Sequence, residues 1–482
     1  MKTQSSTAVL DMEQAISLLK TTRPTFYRWL RSGRIKGMKV GRQWRFYRQD
    51  IERFLKGEPP RIDLPASITP LIEELAGRLR AAGVKDLPSY DETAAGATEL
   101  LLRLALHRRA SDIHLAPQQT AAQVRLRIDG VLKLVVEFDL RLLPAVIEHW
   151  KTLSACDPRE HEKPQDGRLA LDHHGAPFDV RVCFVPTVLG ESLTACVFAR
   201  NATQVTLDQI DYAPQGRERL LRALASPWGL VLCTGPAGSG KTTTLYACLN
   251  HVTRPEVKVM SIEDPVEYVL PGVVQMGVNA KAGITFPVAL RSVLRSDPDV
   301  LLVGEVRDQE TLEACFQAAL TGHLVLSTLH TNDAPSALVR MLNLGAADFL
   351  VADAAKLVVA QRLVRLVCPE CSVPQPPTVE ELARARQTAE AGGLKWETLP
   401  AQYRAARGCP KCAQTGFRRR MVISEMLEVT PEISKAIRRH AIVDELREIA
   451  IRQGMTTMGA DGVRRAALGQ TSLGEALRVA VV

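Results

Sequence analysis

The chain lacks any apolar run long enough to cross a membrane. Its 482 residues contain no stretch approaching the roughly 18 to 20 uninterrupted apolar residues that a membrane-spanning helix needs. The opening sequence, MKTQSSTAVLDMEQ, also lacks the apolar core of a signal peptide. Internal repeats and low-complexity blocks are absent too, so fibrous and disordered classes are excluded. We therefore expect a cytoplasmic protein whose contact with any membrane is peripheral.

Excess positive charge is missing from most of the chain. The formal net charge is +8, but residues 1–57 hold thirteen Lys or Arg against four Asp or Glu, a balance of +9 that leaves −1 for residues 58–482. The long part of the chain therefore offers no basic channel for moving nucleic acid. Solubility alone is a weaker explanation of the basic N-terminal segment, because aromatic residues are interleaved with the cations. The charge indicates a local surface for a polyanion.

The basic segment has the pattern of helix, turn, helix, hairpin and helix between Leu10 and Leu55. DMEQAISLLK places apolar residues on one helical face, Pro24 suits the first turn of the next helix, and GRIKGMKVGRQWRFYR alternates like a small β-wing. Residues 1–57 resemble the winged helix-turn-helix domain of excisionase and MerR-like DNA-binding proteins. That resemblance implies major-groove contacts from the second helix and backbone contacts from the wing. The implied DNA-binding residues are Arg23, Thr25, Tyr27, Arg28, Arg42 and Arg45.

The remaining chain divides by pattern into further segments. Residues 58–95 are interpreted as a linker with one amphipathic helix, and residues 96–205 combine a helix with alternating strands. From residue 206, apolar strands ending in loops are separated by helical stretches, which predicts a mostly parallel sheet with ligands at the carboxyl ends of its strands. We expect this α/β domain to span 206–365, a cysteine-rich region 366–425 and a C-terminal helical region 426–482.

The segment LVLCTGPAGSGKTTTLY predicts a phosphate-binding loop. A strand, the pattern GxxxxGKT and a helix follow one another, so backbone N–H groups can converge on phosphates while Lys241 supplies charge and Thr242 a hydroxyl for Mg²⁺. A glycine-rich turn before a helix is the plain alternative, but it explains neither Lys241 nor Thr242. The predicted nucleotide-binding residues are Gly235, Pro236, Ala237, Gly238, Ser239, Gly240, Lys241, Thr242 and Thr243.

Acidic residues end two later strands. VKVMSIEDPVEY ends a strand on Glu263, and we expect this strand to neighbour the phosphate-loop strand, where a carboxylate can deprotonate a water or hold Mg²⁺ through a water. DVLLVGE ends on Glu305, the expected Walker B acid. His323 and His330 flank a further strand. A lone histidine is more often structural, but this pair lies among candidate phosphate-site residues.

The motifs ASDIHLAP, RIDG, KPQDGR, GPAGSGKTTTLY, SIEDPVEY, LRSVLRSDPDVLLVGEVRD and TGHLVLSTLHTNDA occur in this order. Over residues 96–430 this series resembles the type II secretion and type IV pilus assembly ATPases. The resemblance implies a hexameric motor that joins a PAS-like domain to a RecA-like domain, with ATP at the subunit interface. It implies that Glu263 is the catalytic base, that Glu305 is the Walker B acid and that the histidines form a histidine box. Arg168 and Arg181 match arginines that reach the γ-phosphate across the interface.

Two departures from the family pattern bear on function. Where members usually carry a basic residue after VPTVLGES, this chain has Ala195 and Cys196, which removes charge from that interface. Members also normally begin with a domain that docks on a membrane-platform partner, and here the winged helix occupies that place. The first departure affects the ATPase rate and the second affects the choice of partner.

The pairs CPEC and CPKC supply four soft thiolates, Cys368, Cys371, Cys409 and Cys412. They suit a tetrahedral structural Zn²⁺, and the family resemblance includes such an element followed by TGFRRRMVISE. Two redox-active CxxC motifs are the alternative, but neither pair follows a thioredoxin-like strand and reduced cytosolic thiols favour metal.

The sequence therefore favours a cytoplasmic, hexameric, Mg²⁺-dependent ATPase with a zinc element, which acts with an inner-membrane platform protein in pilus assembly or type II secretion. A DNA-binding regulator or DNA-handling ATPase is the second hypothesis, with duplex DNA bound through residues 10–55. In a third, the winged helix has become a protein-docking module, since fold does not fix function.

Overall fold

The computed structural model describes residues 9–31, 34–40, 43–56, 66–84, 87, 90–173, 175–199 and 205–480. The chain separates into two compact units, residues 1–201 and residues 202–482. Among the helices in these ranges, none has the length and apolar character required to cross a bilayer.

The N-terminal part of the first unit is a small winged helix-turn-helix. Its elements are β1 (Val9–Asp11), α1 (Met12–Leu18), α2 (Arg23–Arg31), β2 (Met38–Val40), β3 (Gln43–Tyr47) and α3 (Arg48–Leu55). Asp11 caps α1 through the backbone N–H of Gln14, and the Gln14 side chain accepts the N–H of Asp11 in return. The strands form a three-stranded antiparallel sheet in the order β1, β3, β2. The helices and wing match the predicted pattern, and β1 is an additional strand.

A hydrophobic core holds this small module together. Its fully covered side chains are Ala15, Phe26, Ile35, Phe46 and Ile51. The rings of Phe26 and Phe46 meet edge to face at 5.0 Å, which ties α2 to the wing strand β3. The orientation of α2 is therefore fixed by its buried face.

The rest of the first unit is a second α/β domain. Its elements are α4 (Thr69–Ala81), α5 (Ala94–His107), β4 (Ala110–Pro117), β5 (Ala122–Ile128), β6 (Val131–Phe138), α6 (Leu143–Leu153), β7 (Gln165–His173), β8 (Ala176–Thr187) and β9 (Gly190–Ala199). The strands form a six-stranded antiparallel sheet in the order β6, β5, β4, β9, β8, β7. Alternate residues of β5 are buried, as the period of a strand with one covered face requires.

Helix α4 belongs to the core of this domain. The sequence pattern predicts a linker at this place, but Leu71, Ile72 and Leu75 on the apolar face of α4 are buried in one cluster with α5 and the sheet. An amphipathic helix needs a surface to cover, and the sheet supplies it.

The second unit contains the phosphate loop. Its main elements are α7 (Pro214–Leu224), β10 (Gly229–Thr234), α8 (Lys241–Val252), β11 (Val259–Glu263), β12 (Val273–Gly277), α9 (Phe286–Val293), β13 (Val300–Val303), α10 (Gln309–Leu320), β14 (Leu324–Leu329), α11 (Ala334–Asn343), α12 (Asp348–Ala354), β15 (Ala355–Val367), β16 (Val373–Pro374), α13 (Val379–Ala391), β17 (Arg404–Ala405), β18 (Phe417–Glu428), α14 (Pro431–Arg438), α15 (Val443–Arg452), α16 (Met458–Ala467) and α17 (Leu473–Ala480).

Seven of these strands form the central sheet, in the order β12, β11, β13, β14, β10, β15, β18. All neighbours are parallel except β15 and β18, which pair antiparallel. Two apolar clusters cover the sheet, one containing residues of α9 to α12 and the other residues of α7 and α8. The predicted α/β fold class is confirmed. The sequence pattern does not predict strand β18 in this sheet, and the strand joins the cysteine-rich region directly to the core of the second unit.

Candidate nucleotide site

The predicted phosphate loop connects β10 to α8 at the carboxyl edge of the central sheet. Gly240 is the N-cap of α8 and has a left-handed backbone with φ of +92°. The Nζ of Lys241 folds over the loop and donates to the carbonyls of Gly235 at 2.7 Å and Pro236 at 3.1 Å. Burial lowers the pKa of the Lys241 ammonium. Thr242, the predicted magnesium ligand, has an exposed side chain beside it. These groups fit a phosphate chain and its metal ion at the helix N-terminus.

A buried polar network supports the loop from below. The Nε2 of Gln361 on β15 donates to the carbonyl of Ser239 at 2.9 Å. Its Oε1 accepts from Thr244 at 2.9 Å and from the hydroxyl of Tyr212 at 3.2 Å. The hydroxyl oxygens of Tyr212 and Thr244 lie 2.9 Å apart. The loop is therefore attached to the neighbouring strand as well as to its own helix, which pre-organises it for a ligand.

The candidate catalytic residues follow neighbouring strands at this edge. Glu263 ends β11, Glu305 follows β13 and His330 follows β14, and these strands lie side by side before β10. Parallel strands present their carboxyl ends at the same edge, so the sheet brings the three side chains together. The expectation that the Glu263 strand adjoins the phosphate-loop strand is wrong, because β13 and β14 lie between β11 and β10.

Glu263 reaches the site beside α8. Its side chain is 4% exposed. It lines a cavity of about 210 Å³ together with Lys241, Thr242, Glu305 and His330. The cavity joins the predicted magnesium ligand, the phosphate-loop lysine and both predicted acids in one space. Such a space can hold a γ-phosphate and an attacking water.

Glu305 holds two neighbouring side chains. Its Oε1 pairs with Arg307 at 2.6 Å, and its Oε2 lies 3.4 Å from the Nε2 of His330. The hydrogen bond to Glu305 raises the pKa of the Arg307 guanidinium, which stays charged. Glu305 is largely covered, whereas Arg307 and His330 are mostly exposed. The Arg307 guanidinium and the His330 imidazole are therefore accessible from solvent beside the cavity.

His323 lies at the opposite edge of the sheet. It precedes the six residues of β14, so roughly 20 Å of strand separates it from His330. Its Nδ1 lies 2.9 Å from the carbonyl of Ala318, and its own carbonyl accepts the N–H of Gly229. The structure does not bring the two histidines together within the unit, because they stand at the two ends of one strand.

The comparisons with known proteins agree with this geometry. The family model described as "Type II/IV secretion system protein" matches residues 93–478. The chain belongs to this family. A separate model for a helix-turn-helix domain matches residues 9–59. Members of the family hydrolyse ATP, and the chain is accordingly an ATPase.

Curated relatives extend over most of the chain. Type II secretion system protein HxcR of Pseudomonas aeruginosa is 42% identical over 379 residues, covering 79% of this chain and 76% of that protein. The type IV pilus assembly ATPase PilB of Thermus thermophilus is 38% identical over 432 residues, covering 87% of this chain and 48% of that protein. The putative type II secretion system protein E of Escherichia coli is 37% identical over 424 residues, covering 87% of this chain and 82% of that protein.

Two solved structures share the fold. The ATPase DotB of Legionella pneumophila aligns with a TM-score of 0.58 at 20% identity, covering 82% of this chain and 97% of that chain. The pilus retraction motor PilT with bound ADP aligns with a TM-score of 0.53 at 22% identity, covering 79% of this chain and 95% of that chain. These likenesses show that the chain shares its fold with DotB and PilT.

The four predicted zinc ligands of this ATPase come together between β15 and β18. The sulfur atoms of Cys368, Cys371, Cys409 and Cys412 all lie within 4.8 Å of one another. The Cys368–Cys409 and Cys371–Cys412 separations are 4.0 and 3.9 Å. Thiolates bound at about 2.3 Å to one tetrahedral ion lie about 3.8 Å apart, so the donor set fits zinc.

The surroundings of the Cys412 thiol favour its ionised form, which is the form that binds a metal ion. Burial opposes its ionisation, but the backbone N–H groups of Cys409 and Gly416 donate to the sulfur at 3.2 Å each. The net effect lowers the pKa of Cys412 to about 6. N–H donors to a thiolate are the surroundings expected of a metal ligand.

The predicted arginines of the small domain lie in one row across its sheet. Arg168 on β7 is the cross-strand partner of Arg181 on β8, and Arg181 is the partner of Cys196 on β9. Cys196 in turn pairs with Asp112 on β4, and its thiol donates to the Asp112 carboxylate at 3.1 Å. Asp112 also pairs with Arg127 at 3.3 Å. Cys196 brings no cation to this row, whose cations among the described residues are Arg168, Arg181 and Arg127.

The predicted DNA-contact residues differ in exposure. Arg23 and Arg28 on α2 are exposed, and Thr25 and Tyr27 are half-buried. Arg45 on the wing is half-buried, and its guanidinium bonds to Gln43 at 2.5 Å and to the carbonyl of Trp44 at 3.1 Å. Arg42 lies outside the described residues. The helix therefore presents Arg23 and Arg28 most openly.

Sequence reasoning missed the polar residues that support the site. Tyr246, Ser261 and Gln275 surround the Glu263 carboxylate, and Gln361 and Tyr212 support the phosphate loop. Ser261 carried a usable signal, because it precedes Glu263 by two residues and so shares its face of the strand. The other four come from distant segments, and only the folded chain brings them to the site.

Proposed function

We propose that the chain is the hexameric ATPase that powers type II secretion or type IV pilus assembly from the cytoplasmic face of the inner membrane. The observation that carries the proposal is the meeting of Lys241, Thr242, Glu263, Glu305 and His330 around one cavity. The names of the relatives, secretion and pilus-assembly proteins that match over most of this chain, support the same assignment. Its partners would be five further copies of the chain and a platform protein of the membrane.

The proposed roles follow the geometry. The loop amides and Lys241 bind the phosphates, and Thr242 holds Mg²⁺, which neutralises phosphate charge. Glu263 takes the proton of the attacking water. Glu305 fixes the edge of the site through Arg307 and His330. Arg168 and Arg181 of a neighbouring subunit would stabilise charge that develops on the γ-phosphate, and His323 would act away from its own subunit's cavity.

The four cysteines would hold one structural Zn²⁺. Their close approach and the N–H donors to Cys412 support a closed thiolate site. A site with four protein ligands leaves no open position for a substrate. Zinc would therefore stabilise the connection between β15 and β18 and take no part in hydrolysis.

The motor assignment is tested in the host cell. A strain whose copy of this gene carries Lys241→Ala should lose assembled pili or secreted protein while keeping normal amounts of the chain. Fractionation should place the wild-type chain with the inner membrane only when the platform protein is present. Normal secretion and piliation in the Lys241→Ala strain would contradict the assignment.

The winged helix supports a second proposed activity, binding of duplex DNA. Residues 1–57 carry a balance of +9, and α2 presents Arg23 and Arg28 to solvent. Phosphate contacts of this kind give salt-dependent affinity. A helix-turn-helix that docks on protein is the competing interpretation of the same surface.

Fluorescence anisotropy with mixed-sequence duplex DNA across a salt series separates these interpretations. The full chain should bind at low salt, and an Arg28→Ala/Arg45→Ala variant should lose binding. The matched control is Arg386→Ala/Arg452→Ala, which removes two partly exposed arginines from the other unit. If the wild-type chain does not bind at low salt while ATP hydrolysis is intact, the winged helix is a protein-docking module.

A further inference from the structure

The carboxylate of Glu263 is enclosed by side-chain donors that the assigned chemistry does not use. Its Oε1 accepts from the hydroxyl of Ser261 at 2.5 Å and from the Nε2 of Gln275 at 3.1 Å. Its Oε2 accepts from the hydroxyl of Tyr246. Ser261 and Tyr246 have no exposed surface, and Glu263 itself is 4% exposed. The orientation of this carboxylate is therefore set by three other side chains.

Counting lone pairs distinguishes the two carboxylate oxygens. Each oxygen of an ionised carboxylate can accept about two hydrogen bonds. Ser261 and Gln275 occupy both positions on Oε1, whereas Tyr246 occupies one position on Oε2. The remaining acceptor position of Glu263 is thus on Oε2, the oxygen that Tyr246 holds. Both side chains line the cavity that also contains Lys241.

The phenol of Tyr246 is itself fixed in place. Its ring meets the ring of Tyr268 edge to face, with centroids 4.7 Å apart. Its oxygen accepts the backbone N–H of Glu267 at 3.3 Å. Burial, followed by the bond to Glu263, raises the pKa of Tyr246 far above its usual range. The hydroxyl therefore remains a donor at every physiological pH and cannot compete with Glu263 for the proton.

We infer that Tyr246 is a positioning residue that orients the Glu263 carboxylate and leaves one lone pair of Oε2 available for the proton of the attacking water. The inference rests on the proposed role of Glu263 as general base. Tyr246 acts through Glu263, to which its hydroxyl donates. The other titratable groups around the cavity are Lys241, Asp264, Glu267, Glu305 and His330.

A hydroxyl with only a structural role would leave a different signature. Its loss would lower the stability of the fold and leave kcat and the pH profile of hydrolysis unchanged. A positioning hydroxyl donates to the carboxylate that takes the proton, so its removal should lower kcat at constant KM and move the acid limb of the rate profile to higher pH.

The test is steady-state hydrolysis of MgATP by the full chain, followed from about pH 5 to about pH 9. Tyr246→Phe should lower kcat about tenfold, leave KM for ATP unchanged and move the acid limb up by about one pH unit. Tyr268→Phe is the matched control, since it removes a neighbouring phenol that, within the described residues, gives Glu263 no hydrogen bond. It should behave as the wild type.

A second variant guards against misfolding of Tyr246→Phe. Site-specific 3-fluorotyrosine at position 246 keeps the ring and makes the phenol a stronger donor, so the acid limb should move to lower pH. An unmoved limb in both variants, with a normal kcat for folded Tyr246→Phe, would overturn the inference. Glu263→Gln tests the underlying assignment separately: wild-type hydrolysis in that variant would refute the general base itself, whereas lost hydrolysis keeps it whatever Tyr246 does.

Discussion

Gly235 begins the phosphate loop with a backbone that other residues rarely adopt, with φ of +147°. A Cβ at this position would lie 2.4 Å from the carbonyl oxygen of Gln361. That contact is too close, and backbone atoms cannot move aside as a flexible side chain can. The loop therefore packs against β15 only because residue 235 is glycine.

Gly235→Ala should weaken nucleotide binding at least about tenfold, because the loop must leave β15 to admit a methyl group. Titration with a fluorescent ADP analogue in Mg²⁺ measures the change. Gly238→Ala is the control, since Gly238 also has positive φ but its Cβ would meet no atom within 4 Å. Equal affinities in the two variants would show that contact with Gln361 does not shape the loop.

The residues of the loop could be predicted from sequence, and their supports could not. GxxxxGKT is a local pattern in which each residue has its own reason. Gln361 lies 117 residues beyond Thr244, its hydrogen-bond partner. Nothing in its surrounding sequence indicates a phosphate site. The remaining signal in the sequence is a single polar residue on a long apolar strand such as β15. A buried side-chain amide must have hydrogen-bond partners, so such a residue indicates a polar network nearby.

The order of the strands in the sheet limits what the sequence predicts about the site. The sequence predicts the residue types at the ends of β11, β13 and β14, but it does not predict which strands lie side by side. Crossover connections insert β13 and β14 between β11 and β10, and this choice is made by packing of helices on both faces. The same limit applies to β18, whose pairing with β15 spans the cysteine-rich region.

The cysteine element should contribute stability without chemistry. Cys409→Ser should reduce bound zinc from about one ion per chain to almost none and lower the Tm by about 5 °C or more. Zinc released by acid, measured with a chromogenic chelator, and differential scanning calorimetry provide the two readouts. Cys156 is a half-buried cysteine of the first unit, and the Cys156→Ser chain should bind as much zinc as the wild type. The proposed site would be contradicted if the wild-type chain contained no zinc and Cys409→Ser melted at the wild-type temperature.

At the scale of the whole molecule, the charge distribution and the order of the motifs already indicate the division of the chain. The basic segment is a winged helix-turn-helix, and the near-neutral remainder contains the ATPase fold of the family. Assembly lies beyond one chain. The row with Arg168 and Arg181 and the exposed Arg307 and His330 are the charged surfaces that a ring of subunits could use.

We propose that ATP is hydrolysed by subunits acting together in a ring. The most direct measurement mixes wild-type chain with Lys241→Ala chain in increasing proportion at constant total concentration and follows MgATP hydrolysis. If active sites depend on neighbouring subunits, the rate should fall more steeply than the wild-type fraction. A rate strictly proportional to that fraction, with mixed assemblies verified by native mass spectrometry, would mean that each chain works alone and would contradict the claim.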